Sequence, residues 1–333
     1  MTALGAPAVI AVLLGVSGLC GPLLLRAAAP LLMRIPRLAV ALLLAGMAAW
    51  LLAAAALSLV LAWSLSGPRL LPGAYGEVCQ RCLAASSPFA AGHTVQTGLP
   101  VALLMLLPAL GATLLLGRLL HHLLASHRQA RSLSARIVGS ARRTRVAGHE
   151  VWLLRDARPL AFALPRSKGG IVISDGLRGQ LADRELTAVL AHEQAHLQQR
   201  HHLILSVLGA VTEPLRWIPL ARAIADAAPH YLEIAADSRA RACSGTPALA
   251  SALLKIGAPA HPGPLPARPG GPAALLHAGG PDRIRQLVAP ARGGAALAPL
   301  SALALLMLGL TIVTICVHLS YLQVMLAGCV LPE

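Results

Sequence analysis

His192, Glu193 and His196 stand inside the stretch "TAVLAHEQAHLQQRHH" (187–202) at the spacing H-E-x-x-H. On an α-helix, residues four apart lie about 40° apart around the axis and about 6 Å along it, so both imidazoles can face one ion. Glu193 then stands beside that ion without having to ligate it. Zinc suits such a set and keeps an open position for a water. Bound zinc lowers the pKa of that water towards about 7, and Glu193 is placed to take its proton so that hydroxide can attack a carbonyl. The competing reading is a histidine-rich helix at a membrane surface that holds no metal.

A third ligand is needed, and two residues are candidates. His202 follows His196 by six positions, where metzincins place a third histidine after a glycine that turns the chain back. Here the midway position is Gln199, and on an unbroken helix His202 points about 240° away from His196. His201 and His202 are therefore assigned to a basic surface near lipid. Glu233 is the better candidate. In "YLEIAADSRARA" (231–242), Glu233 and Asp237 share one helix face. The first can ligate, and the second, one turn on, can accept from a ligand histidine's other N–H. The same acids could instead form an exposed face paired with Arg239 and Arg241; the preceding H-E-x-x-H favours the metal.

The elements that must position these residues are legible in part. "HEVWLLRD" (149–156), "LAFAL" (160–164) and "GIVIS" (170–174) read as short strands bounded by Pro, Gly and Asp. A helix is expected from Asp183, with Asp183 as its cap, Glu185 in its first turn, and Leu186, Val189, Leu190 and Leu197 at helical spacing. A second helix is expected around 221–243, and the Pro/Gly-rich residues 257–281 read as a loop. The segment before the strands reads as a helical or interfacial linker, and its Arg-rich part, 128–145, as exposed and flexible.

Composition sets the surroundings. Of 333 residues, 56% are hydrophobic and only 12% charged, with a mean hydropathy of +0.68, which excludes an ordinary soluble protein. Four stretches, roughly 4–25, 38–64, 99–120 and 297–327, are long and apolar enough to cross a bilayer. The first reads as an uncleaved anchor. The formal charge of +15 then reflects loop topology and anionic lipid rather than nucleic acid, because no aromatics interleave with the arginines.

Arg26, Arg34 and Arg37 place the first loop in the cytoplasm, and the basic run from Arg118 to Arg145 places the segment after the third span there too. The expected organisation is a membrane region (1–120) with three transmembrane helices, a cytoplasmic metallopeptidase domain (121–296), a fourth transmembrane helix (297–327) and a short outer tail (328–333). Cys79 and Cys82 form a lone C-x-x-C in the outer loop, read as a local disulfide or plain thiols. Scarce lysine beside abundant Arg and Ala points to a GC-rich bacterium, and the spans then to its plasma membrane.

"GIVISDGLRGQLADRELTAVLAHEQAHLQQRHH" followed by "EPLRWIPLARAIADAAPHYLEIAADSRA" resembles the BlaR/MecR-type membrane metallopeptidases. Trp217, Pro219 and Leu220, in the hairpin between the two motif helices, favour that family over the related HtpX and CAAX-prenyl endopeptidases. The resemblance covers about 150–290. It implies an α-helical integral membrane protein of about four spans with an inserted α+β zincin-like domain of the gluzincin type. It also implies one zinc on His192, His196 and Glu233, general-base catalysis by Glu193, and support from Asp237. "PDRIRQL" (281–287) resembles a segment that follows in these relatives; Arg283 or His277 would there steady the oxyanion, against the plainer reading of a helix start after Pro281. The β-lactam sensors carry a penicillin-binding domain after the last span. The sequence stops at Glu333, so sensing by that route is not expected.

The expected activity is zinc-dependent endoproteolysis on the cytoplasmic side. "LAFAL" is an edge strand against which an extended substrate can pair. By resemblance, the substrate is a cytoplasmic DNA-binding repressor, with self-cleavage in 128–145. The alternatives are HtpX-like quality control of membrane proteins and a catalytically silent zinc-bearing scaffold or receptor; the carboxylate of Glu193 argues against the last.

Overall fold

The computed structural model describes residues 5–66, 68, 95–98, 100–164, 170–257 and 296–327. Cys79, Cys82, His277, Arg283, the tail 328–333 and nearly all of the Pro/Gly-rich stretch lie outside the described residues.

Among the described residues, four apolar helices are long enough to cross a membrane: α1 (Gly5–Leu32), α2 (Pro36–Ser64), part of α3 (Ala102–Ser140), and a last helix, Leu297–Ala327. Pro36 sits in the first turn of α2, where its missing N–H costs nothing. The tight turn between α1 and α2 carries Arg34, with Arg37 just inside α2. Two-residue strands β1 (Leu65–Ser66) and β2 (Val95–Gln96) pair in parallel at the end of α2.

The stretch 128–145, expected to be flexible, is instead ordered. Helix α3 runs unbroken through its arginines to Ser140, and β3 (Ala141–Val146) continues directly from it. Strand β3 forms an antiparallel hairpin with β4 (His149–Leu154). The turn between them, Ala147–Gly148, has φ of 45° and 81°, the doubly left-handed geometry that matches strand twist. Ile137, one turn before the end of α3, is buried against Leu164 and Val172. Arginines face outward on a paired strand; charge alone did not make this segment loose.

Strands β5 (Ala161–Ala163) and β6 (Ile171–Ser174) complete a sheet of order β3-β4-β6-β5, with β4 and β6 parallel and β5 antiparallel at the edge. All four residues of β6 are buried, as expected of a central strand. After the short α4 (Asp175–Gln180) comes α5 (Asp183–Gln198). Its cap is Ala182 rather than Asp183; the Glu185 carboxylate accepts from the Ala182 N–H at 2.8 Å, which satisfies one of the donors a helix start leaves open. Leu186, Val189 and Leu190 pack onto Val151, Ile171 and Ile173 of the sheet.

Helix α5 gives way to α6 (His201–Thr212), and α7 (Pro219–Ser244) and α8 (Thr246–Gly257) follow; the last helix is α9. Helix α7 joins the two parts of the molecule. Leu220, Ile224 and Tyr231 share one core with Leu32, Leu43 and Met47 of α1 and α2. Gly21 makes this approach possible: a Cβ there would lie 2.8 Å from Leu220 Cδ1. The second half of α7 packs on α5, with Ala188, Ala191 and Ala240 at the contact. Small residues there let two helix backbones come close, which is what brings their polar side chains together.

Candidate metal centre

Four buried polar residues meet where α5 crosses α7. His192, Glu193, Glu233 and Asp237 are each no more than 4% exposed. Burying three carboxylates beside an imidazole is costly unless the groups satisfy one another or hold a cation. The His192 Nε2 and His196 Nε2 atoms lie 3.0 Å apart. Glu233 Oε2 is 3.4 Å from the first, and Glu233 Oε1 is 3.3 Å from the second. A tetrahedral zinc bound at 2.0–2.1 Å has ligand atoms about 3.3 Å apart. Among the described residues, His192, His196 and Glu233 form the one group of three or more ligand-type side chains whose atoms converge in this way. The residues fit zinc.

His192 Nδ1 lies 2.9 Å from Asp237 Oδ1. This contact sets the carboxylate beside Nδ1 and leaves Nε2 to face the cluster. Burial pulls the His192 pKa down, but the hydrogen bonds of Asp237 and Glu233 outweigh it and push it up to about 10. The reading of Glu233 and Asp237 as an exposed face paired with Arg239 and Arg241 is overturned, since both point inward.

Glu193 lines a cavity of about 80 Å³ together with His192, His196 and Glu233. Phe162 and Ala163 of the edge strand β5 also line it, with Leu197, His201, His202 and Leu205. "LAFAL" is thus an edge strand, and it borders the site.

His202 lines the cavity but is exposed and stands outside the converging group. The helix it was expected to continue is broken: Gln198 ends α5, and Arg200 takes a left-handed conformation at φ 53°, ψ 38°. That break corrects the placement of His201. Instead of facing lipid, it is 2% exposed, with Nδ1 2.8 Å from His196 Nδ1. Burial brings its pKa down to about 4. No glycine marks the turn, so no sequence signal pointed to it.

Residues 127–230 match the family described as Peptidase family M48. This interval holds His192, Glu193 and His196 and ends just before Glu233. A curated relative, "Protease HtpX homolog" of Methanopyrus kandleri, is 33% identical over 139 residues, covering 33% of this chain and 44% of the relative. The chain thus spans less than half the length of that relative. No solved structure matches. Both likenesses are to M48-type peptidases, and neither singles out the BlaR/MecR type.

Proposed function

We propose that this chain is a membrane-embedded zinc endopeptidase that cleaves polypeptides held in extended form. The observation that carries the reading is the convergence of His192, His196 and Glu233 beside Glu193, in a cavity walled by an edge strand. His192, His196 and Glu233 would hold the metal, and Asp237 would orient His192. Zinc bound there supplies Lewis acidity, polarising a carbonyl and acidifying a water. The outer edge of β5, unpaired with any strand among the described residues, pairs with the substrate backbone and lays its scissile bond across the cavity. Glu193 takes a proton from the attacking water, whose oxygen bonds to the carbonyl carbon. As the C–N bond breaks, Glu193 returns that proton to the departing amine, leaving a carboxylic acid and an amine.

The substrate is open to two readings. Resemblance to BlaR/MecR-type enzymes favours a cytoplasmic repressor; likeness to a protein named a protease HtpX homolog favours membrane-protein quality control. Self-cleavage within 128–145 loses support, because those residues are helix and paired strand. Cells expressing wild type or Glu193→Gln, compared by N-terminal mass spectrometry, test activity and substrate together. Glutamine keeps the shape but cannot accept the proton, so activity should fall by at least about 100-fold. Equal sets of new termini in both strains refute the enzyme; termini confined to integral membrane proteins refute the repressor.

The arginine asymmetry supports a site on the cytoplasmic side. Cys243 is an exposed thiol at the end of α7. A membrane-impermeant maleimide should leave it unlabelled in intact cells and label it in inverted vesicles; external labelling would reverse the orientation.

A further inference from the structure

The histidine that follows the helix break has a polar environment with a single consistent proton arrangement. His196 directs Nε2 at the cluster, so its proton is on Nδ1, and this N–H donates to His201 Nδ1 at 2.8 Å. His201 Nδ1 is then an acceptor, which puts its own proton on Nε2. That nitrogen lies 3.1 Å from Gln199 Oε1, which can only accept. The same Oε1 accepts from Arg37 Nε–H at 3.2 Å. The Arg37, His201 and His196 donors each meet an acceptor, from the first turn of α2 to the edge of the metal cluster.

The backbone carries a cost to achieve this. On a continuous helix His201, five residues after His196, would lie about 140° around the axis from it, out of reach. The left-handed turn at Arg200 swings His201 back until the two rings stand perpendicular with centroids 4.6 Å apart. A non-glycine residue in that conformation stores strain of order 1 kcal/mol, which persists where the surroundings require it.

We infer that His201 is a positioning residue for the metal ligand His196, the neutral counterpart of what Asp237 does for His192, and that Gln199 and Arg37 tie it to the turn between α1 and α2. The inference rests on the metal reading above. It adds a physical link between the apolar helices and the site: a movement of the α1–α2 turn that withdraws Arg37 loosens Gln199, then His201, then the ring of His196.

The full-length protein in detergent, titrated with zinc against a chromophoric chelator, tests this. His201→Phe keeps the ring volume but removes the acceptor, and zinc affinity should fall about 10- to 100-fold. His201→Asp restores an acceptor and should recover most of that loss. Arg37→Ala, at an exposed position, should show a smaller loss of about threefold to tenfold. Independently of any substitution, the ring ¹⁵N shifts of the zinc-loaded wild type should report His201 as neutral and protonated on Nε2. The opposite tautomer, or His201→Phe with wild-type affinity, overturns the inference while the metal reading stands. Unchanged affinity in Arg37→Ala overturns the tie to the α1–α2 turn. A wild type that binds no zinc overturns both readings.

Discussion

The two ends of α5 are built on opposite terms. At its start the chain uses ordinary helix chemistry. Glu185 in the first turn accepts from the Ala182 N–H, from Lys255 Nζ at 2.6 Å and from Ser251 Oγ at 2.5 Å. Three donors meet one carboxylate, and the two from α8 fasten that helix to α5. At its end nothing of the kind occurs: a left-handed arginine stops the helix without a glycine, and a buried histidine returns to touch a ligand. The first end satisfies open backbone donors and adds stability. The second accepts strain and yields an arrangement that stability alone does not need. The contrast separates a device that holds the fold from one that serves the site.

That separation can be broken from either end. The largest effect is expected at the cluster that the C-terminal half of α5 builds with α7. Glu233→Ala should reduce bound zinc by at least about tenfold, because a structural set of two imidazoles is incomplete. Elemental analysis of the purified protein reads this out. Full occupancy in Glu233→Ala, with loss in His202→Ala, would assign the third ligand to the wrong end of the motif.

The start of the helix should respond to acid and leave zinc alone. Hydrogen bonds from Lys255, Ser251 and the Ala182 backbone hold the Glu185 carboxyl down at about 2, against an ordinary value of 4.5. A depressed carboxylate adds stability above its unfolded pKa and loses it as pH falls. Wild type should therefore lose stability as pH drops from about 4.5 towards 2, with Glu185→Gln already lower at neutral pH and flatter through that window. Thermal melts at stepped pH, with zinc content measured alongside, check both points. A pH-independent difference between the two proteins would remove Glu185 from this role.

The smallest effect, and the sharpest for the comparison, lies at Arg200. Glycine adopts positive φ without the Cβ clash, so Arg200→Gly should hold or raise stability by up to about 1 kcal/mol. Arg200→Val, β-branched, should lower it by about 1 kcal/mol or more. If valine is tolerated and glycine is not, the turn is not left-handed and the helix continues as its sequence suggests.

Much of this protein was open to a reader of the sequence alone. Long apolar runs yield helices of spanning length, because few polar groups interrupt them. The i, i+4 pairs His192/His196 and Glu233/Asp237 yield shared helix faces because helical geometry is fixed at 3.6 residues per turn. β5 and β6 lie within the expected strand limits, and β4 falls short only at its far end, because β-branched and aromatic runs between turn residues have few other options.

Tertiary structure decided what local rules leave free. It made 141–146 a strand, because β4 offered an unpaired edge and Ile137 a buried anchor. It turned Glu233 and Asp237 inward rather than toward Arg239 and Arg241, because α5 lies against that face. It broke the helical run at Arg200, which has no local reason to break, and so brought His201 against His196. Periodicity describes a helix from within; where it ends, and what it then meets, depends on partners distant in the chain.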